Sequence, residues 1–482
     1  MNALLLFAAI TASSFPQSGT VALRVALHVH TTFSDGSHTV EEIARRAREE
    51  SIDAVLLADH FLTRLEYGPP LFRKALAVSV NPHSLGSRDL DGYLQAAREA
   101  ERETGVMVLP GVEITPFYYW EGSLLAGDLT LHSAHRHLLV FFPENADLAG
   151  LGRVLSAMSA PGALQFRVGS LLLVWPLLLA LWSANRLRRH RGRSLPSTLV
   201  LSLVAVAGVV ALVRAWPYLV PKHSPYAGDA GTSPYQDALD ASLSTSALTF
   251  WAHPETSSDF RHPRYPVAYR SEEYPDLVAT TRGATGFASL YEGDRRAAAF
   301  DGPWDRTLRE FTRGERSLPV WTVGELDLHR EGEAGGKFLG EVETIVFASE
   351  RSHQGVLDAL ARGSMYAVRQ TEGSHLRLDD FRVTCRGEDV LMGEWTRSTG
   401  PCRIHARLRA QGEALAGVTV SLVRNGEVMD SGDVDLDENG VELEWDDPIR
   451  DEPAFYRLVA RRGNRVALYG NPAFAGVKEA AP

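Results

Sequence analysis

The chain has 482 residues, 45% of them hydrophobic, enough for a large buried core and, by length, for ~3 domains. Its formal net charge of -11 argues against a bulk electrostatic grip on nucleic acid, and no stable nucleic-acid binding is expected. Only Cys385 and Cys402 are cysteines, so a site of several thiolates is excluded and any metal would rest on histidine and carboxylate.

Residues 1–20 open with a short apolar core, Leu4 to Ala12, then Ser13 and Ser14. That length suits the apolar region of a signal peptide and is short for a bilayer span, although no basic residue precedes it. Val21 to Val29 then reads as a strand. Val21, Leu23, Val25, Leu27 and Val29 share one face, and His28 and His30 share the other. Two imidazoles so placed can hold one metal ion, or they can be two exposed histidines on an edge strand. Asp35 follows in a loop closed by Gly36.

Thr39, with Glu42 three residues on, forms a capping box for a helix to about Glu50 whose apolar face is Val40, Ile43, Ala44 and Ala47. Asp53 to His60 reads as a buried strand ending in a polar pair. Its Asp59 either orients a ligand or is a strand-end carboxylate in water. Arg64 either meets substrate phosphate or forms a surface salt bridge. A helix from Leu90 to about Thr104 leads to a strand, Val106 to Glu113. This alternation predicts a parallel α/β architecture with function at the C-terminal ends of the strands. His132, His135 and His137 precede a fourth strand, and spacing alone does not choose among them.

The composition then changes. Val168 to Ala184 and Leu195 to Val213 are uncharged runs of 17 and 19 residues. Each is near the ~20 residues that cross a bilayer core. The alternative is two buried core helices. Five arginines between Arg186 and Arg193 make the intervening loop basic, which places that loop in the cytoplasm and returns both flanks to the outer side. His223 to Asp237 reads as a linker.

The strand pattern resumes at Ala247 to His253 and again at Ala284 to Tyr291, with a helix from about Asp305 to Arg313. Pro319 to His329 reads as a strand with Glu325, Asp327 and His329 on one face. A strand at Val342 to Ala348 and a helix at His353 to Arg362 close this part, so the apolar pair looks like an insertion within one domain. From about His375 short strands dominate, with a hairpin at Arg424-Asn425-Gly426-Glu427, which predicts a small all-β sandwich. Cys385 and Cys402 could bridge there in an oxidising compartment. Asp433, Asp435, Asp437 and Glu444 mimic a calcium loop, but Glu438 stands where the turn needs glycine, and an acidic β-turn is the better reading.

Collected by strand end, the candidate metal ligands are His28, His30, Asp35, His60, Glu113, His137, His253, Asp327 and His329. The segments HVHTTFSDG, LLADH, PGVEIT, HLLVF, WAHP and GELDLH resemble, in that order, the PHP (polymerase and histidinol phosphatase) superfamily of metal-dependent phosphoesterases. The resemblance implies a distorted (β/α)7 barrel and a site of two or three divalent ions, zinc, manganese or iron. His28, His30, Glu113 and Asp327 would hold the first. Glu113 would bridge to a second on His137 and His253, and Asp35, His60 and His329 would hold a third. Relatives often have histidine at the position of Asp35. Their glycine-serine-aspartate reads Gly324-Glu325-Leu326-Asp327 here, which leaves Glu325 without a role.

The expected organisation is thus a signal-like segment (1–20), a PHP domain in two parts (21–160 and 221–373), a transmembrane hairpin (161–220) and a β-sandwich (374–482). The expected activity is phosphoester hydrolysis by a metal-bridging hydroxide, on a phosphorylated small molecule or nucleotide, from a membrane with the soluble parts outside the cytoplasm. The alternative is a non-catalytic, membrane-tethered metal-binding or sensor module.

Overall fold

A computed structural model describes residues 19–478, apart from 70–72, 81–82, 88, 144–147, 161, 163, 169, 171–173, 190–194, 217, 264–265, 333–336, 372 and 449–451. The expected signal segment therefore lies almost wholly outside the described residues, as does part of the basic loop.

One 14-stranded sheet organises the molecule. Val21–Val29 pairs in parallel with Ala54–Phe61, which pairs in parallel with Met107–Ile114. Their apolar side chains are sealed: Val25, Leu27, Leu56 and Leu57 are all fully buried, each contributing about 1.5–3 kcal/mol relative to exposure. The intervening helices, Val40–Glu49 and Leu90–Thr104, cover the sheet, and the capping box of Thr39 with Glu42 is formed. Val40, Ile43, Ala44 and Ala47 are the buried face of the first helix.

The fourth strand departs from the parallel pattern. Leu138–Phe141 runs antiparallel to both Met107–Ile114 and Leu248–Trp251. The reason lies in the connection. A parallel neighbour needs a crossover, usually a helix, but residues 115–137 form only the short strands Tyr119–Glu121 and Thr130–His132. The chain turns back on itself, so the start of this strand, with His137 just before it, lies at the end where its neighbours finish. Parallel pairing resumes through Gly286–Leu290 and Trp321–Gly324.

Trp321–Gly324 is shorter than the expected strand to His329. Beyond it, Leu326 N donates to Leu27 O, Leu328 N to His28 O, and His30 N to Leu328 O, so the last strand continues alongside the first. On the same edge of Val21–Val29, away from Ala54–Phe61, Val342–Ala348 pairs antiparallel with residues 21–25, and Met365–Arg369 pairs antiparallel with Val342–Ala348.

Between the two halves lie helices Trp175–Arg189 and Leu195–Arg214. They pack closely: a Cβ on Gly208 would stand 2.8 Å from Pro176 O. Of the two expected spans, one helix among the described residues, Leu195–Arg214, is long and apolar enough to cross a membrane by length and composition, and only 6% of its most apolar 18-residue stretch is buried. The other has 15 residues, about 22 Å at 1.5 Å each, and ends in Arg186, Arg188 and Arg189.

The C-terminal region is β-rich. Ser374–Cys385, Glu388–Leu391, Cys402–Gly412 and Val441–Asp447 form one sheet, which shares a core with a second through Ile404, Ala406, Leu408, Val420, Leu422 and Leu458. That second sheet is not separate. Arg465–Gly470 pairs with Met365–Arg369, so it continues the main sheet across the expected boundary at 373–374. Cys385 and Cys402 are cross-strand partners and are disulfide-bonded. The Asn425-Gly426 turn has positive φ at both residues, as a tight hairpin of this kind requires. Asp437 accepts from the Asn439 and Gly440 amides in a turn between two strands, while Asp433 and Asp435 lie in the strand before it and Glu444 in the strand after, so only the centre of the acidic run is a β-turn.

Candidate metal centre

The candidate ligands reach one end of the sheet from segments far apart in sequence. His28 and His30 come from the first strand, His60 and Glu113 from the ends of the next two, and His137 from the start of the antiparallel one. His253 follows Leu248–Trp251, and Asp327 and His329 follow Trp321–Gly324. His28, His30, Glu113, His137 and His253 are all buried.

Glu113 is the hub. Its Oε1 lies 2.7 Å from His137 Nδ1, 3.1 Å from His253 Nε2 and 3.4 Å from His28 Nε2. Its Oε2 lies 2.8 Å from His60 Nδ1 and 3.6 Å from His30 Nε2. Asp327 Oδ1 stands 3.2 Å from His30 Nε2, 3.4 Å from His28 Nε2 and 3.5 Å from His329 Nδ1. Asp35 faces His30, His60 and His329 at 3.6, 3.4 and 3.4 Å.

Three sets of these atoms are each compact enough for one ion: His28, His30 and Asp327; His60, Glu113 and His137; and His30, Asp35, His60 and His329. These sets cross the expected assignments. His30 faces both the first and third sets, His60 the second and third, and His253 joins none, although it touches Glu113.

The donors fit divalent metal on two further counts. His137 Nδ1 and Glu113 Oε2 are buried without a hydrogen-bond partner, so their close approaches lack hydrogen-bond geometry. His28 Nε2 and His30 Nε2 face each other at 3.0 Å. Two ligands of one tetrahedral zinc, with bonds of 2.0–2.1 Å, stand about 3.3 Å apart. The His28–His30 spacing is close to that separation.

Backbone strain collects here as well. His28, His253 and Asp327 have φ of 71°, 24° and 48°, conformations that residues with a Cβ seldom adopt. At His28 the register against Ala54–Phe61 slips, and this bulge lets both His28 and His30 enter the site.

Charge follows geometry. Burial opposes a proton on His60, but Glu113 and Asp35 overcome it and push the pKa up to about 10. His253 is pushed up to about 9, again against burial, by Glu113. His30 goes the other way, to about 3, because burial dominates. Burial would raise Glu113, but the histidines around it, His137 first, hold it well below the usual carboxylate range.

Two carboxylates that sequence left open have definite partners. Glu325 is fully buried; its Oε2 lies 2.9 Å from His28 Nδ1 and its Oε1 accepts from the His253 amide at 2.6 Å. It fixes which nitrogen of His28 faces Glu113 and Asp327, as the carboxylate behind a metal-binding histidine does. The only sequence signal for this was the extra acidic residue in the last motif. Asp59 is not in water: it accepts from the Thr31 and Ser34 amides and both hydroxyls, clamping the turn that follows His30. Arg64 pairs with Glu66. Tyr274, unmarked in the sequence, places its hydroxyl 3.3 Å from His253 Nδ1. His132 stacks on Tyr119, and His135 lies beside His137, with no place in any of the three sets.

Among solved structures, a two-domain protein from Bacteroides vulgatus containing a predicted PHP-like metal-dependent phosphoesterase is similar at 14% identity and TM-score 0.36, covering 93% of this chain and 95% of that one. A protein from Bifidobacterium adolescentis, described as a candidate metal-dependent phosphoesterase, is similar at 18% identity and TM-score 0.30, covering 70% and 96%. An amidohydrolase from Chromobacterium violaceum, with bound sulfate and no metal, is similar at 18% identity and TM-score 0.29, covering 64% and 88%. Likenesses this loose say nothing of what the chain acts on. No curated protein matches it. Residues 26–159 match the family described as the PHP domain, and they supply His28, His30, Asp35, His60, Glu113 and His137; the protein carries a PHP domain.

Proposed function

We propose that this protein is a metal-dependent phosphoesterase held at a membrane by the helices between its two PHP segments. The observation that carries the reading is Glu113: a buried carboxylate with Oε1 toward His137, His253 and His28 and Oε2 toward His60 and His30, so that one group stands between histidines on both sides, as a carboxylate bridging two ions would. Two or three bound zinc, manganese or iron ions would supply a water activated at neutral pH and positive charge for the phosphoryl oxygens.

The chain's own residues do the rest. Glu325 keeps His28 Nε2 turned inward, and Asp59 holds the Thr31–Ser34 turn beneath His30. Burial of His28, His30 and Glu113 keeps bulk water from their inner faces. The distorted (β/α)7 barrel belongs to the same reading and is supported by the bonds that run from 326–328 to 27–30. An extracytoplasmic site is supported by the Cys385–Cys402 disulfide, since such bonds persist in oxidising compartments. A purely sensory module would tolerate loss of ligands, and each position here is filled.

The test is a screen with 4-nitrophenyl phosphate and bis(4-nitrophenyl) phosphate after loading with zinc, manganese or iron. The reading expects turnover of at least one, abolished by chelation. Fully loaded protein inactive on both refutes it.

A further inference from the structure

The apolar helices leave and re-enter the PHP domain at the metal-donor end. Before them, Ser159 Oγ donates to Phe61 O at 3.1 Å and Ala160 N to Thr115 O at 2.9 Å. Phe61 adjoins His60, and Thr115 lies two residues past Glu113. After them, Val220–Pro221 pairs with Leu164–Gln165, Trp120 N donates to Pro225 O at 2.7 Å, and the Tyr226 hydroxyl accepts from Gly68 N at 2.6 Å. Residues 62–68 and 115–120 are the stretches that continue from the His60 and Glu113 strands. Both crossings are therefore tied to the mouth of the site.

The surface at this root is not that of a protein facing only water. Leu76, Val78, Phe166, Val168 and Trp216 are exposed there, Trp216 by 71%. Basic side chains lie among them: Lys74 donates to Leu219 O, Arg214 to Ala77 O, and Arg167 to Lys222 O, while Arg73 covers the Tyr226 ring. Exposed tryptophan and aliphatic groups mixed with Arg and Lys are the chemistry of an interface with anionic headgroups. The adjoining Leu195–Arg214 helix is long enough to fix that level in a bilayer.

We infer that the site opens onto the membrane surface and that its substrate is a phosphoester carried on a membrane lipid. This rests on the phosphoesterase reading and narrows it. Hydrolysis adds one water across the P–O bond: the water oxygen joins phosphorus, and the leaving oxygen takes a proton and departs as an alcohol. The lipid part stays in the bilayer, so only the headgroup has to reach the donors.

The experiment uses the full-length, metal-loaded protein reconstituted in phosphatidylcholine vesicles containing phosphatidic acid or phosphatidylglycerol. Glycerol 3-phosphate serves as the soluble comparison and the two chromogens as the basal assay. Turnover of one lipid well above glycerol 3-phosphate is expected. Arg167→Glu combined with Arg214→Glu should lower lipid turnover roughly 10-fold or more, since two side chains that would meet anionic headgroups are reversed in sign. The same variant should keep its metal content and its chromogen turnover. Chromogen cleavage with no preference for either lipid, or lipid turnover indifferent to the charge reversals, overturns the inference and leaves the phosphoesterase reading standing. No cleavage of any phosphoester refutes that reading, and the inference falls with it.

Discussion

Two buried charged clusters in this chain balance their charge in different ways. Asp305, on helix Pro303–Thr312, and Arg457, on strand Ala454–Arg462, are both fully buried. The guanidinium meets both carboxylate oxygens, at 2.7 and 2.8 Å, and lies over the Trp304 ring at 4.7 Å. That pair is permanently balanced in charge: one positive group, one negative group and a parallel fork of hydrogen bonds, with Arg457 Nη1 left buried and unpartnered. The Glu113 cluster is not. Glu113, Glu325 and Asp327 face histidines that carry charge only when protonated, and Glu113 Oε2 and His137 Nδ1 lack hydrogen-bond partners. A buried cluster that neutralises itself joins two parts of a fold. One that balances its carboxylates with displaceable protons on histidine can exchange those protons for cations.

The two clusters should respond differently to loss of a carboxylate at their centres. Glu113→Gln removes the shared carboxylate, so metal content should fall and phosphoester turnover should drop by more than the ~100-fold seen when a supporting partner is lost. Metal analysis beside kinetics checks both. Asp305→Ala leaves Arg457 buried and unpaired, at a cost of about 3–5 kcal/mol read from urea or thermal unfolding. The surviving folded fraction should bind metal as before. Equal damage to metal binding from both variants would erase the distinction between the clusters.

Smaller changes sharpen it. Glu325→Gln should weaken metal affinity ~10–100-fold with little loss of fold, because it disturbs His28 without removing it. The pH dependence has a definite sign. In the metal-free chain His60 and His253 keep protons up to about 10 and about 9. Metal must displace them, so binding near pH 7 should release protons, and apparent affinity should rise with pH through that range. Titration calorimetry in buffers of different ionisation enthalpy measures the release. The stability of the metal-free chain runs the opposite way. The contribution of these raised groups is full below the ordinary histidine value of 6.5 and is lost as pH climbs through about 9 and 10. At the small end, Thr39→Ala removes a helix cap and should cost about 1 kcal/mol without touching metal or turnover.

Much of this was legible in the sequence because strand ends are local. Val21 to Val29 announces its face by alternation, and the polar residues after each apolar run mark where a strand stops. What was not legible depends on partners distant in the chain. Glu325 acquires its role only when 325–328 lies against 27–30 and Asp327 adopts a positive φ. The reversal of Leu138–Phe141 follows from a connection without a helix, a signal present in residues 115–137 but masked by the strength of the strand itself. The joining of Met365–Arg369 to Arg465–Gly470 is a meeting of sheet edges a hundred residues apart, and edges carry no motif.

The proposed activity stands on divalent ions held by the Glu113 cluster. Their binding is tested most directly by the metal content of full-length protein, stripped with chelator, reloaded and compared with Glu113→Gln. The account predicts at least two tightly held ions per wild-type chain and loss of at least one in the variant. Equal content in the two proteins would contradict it.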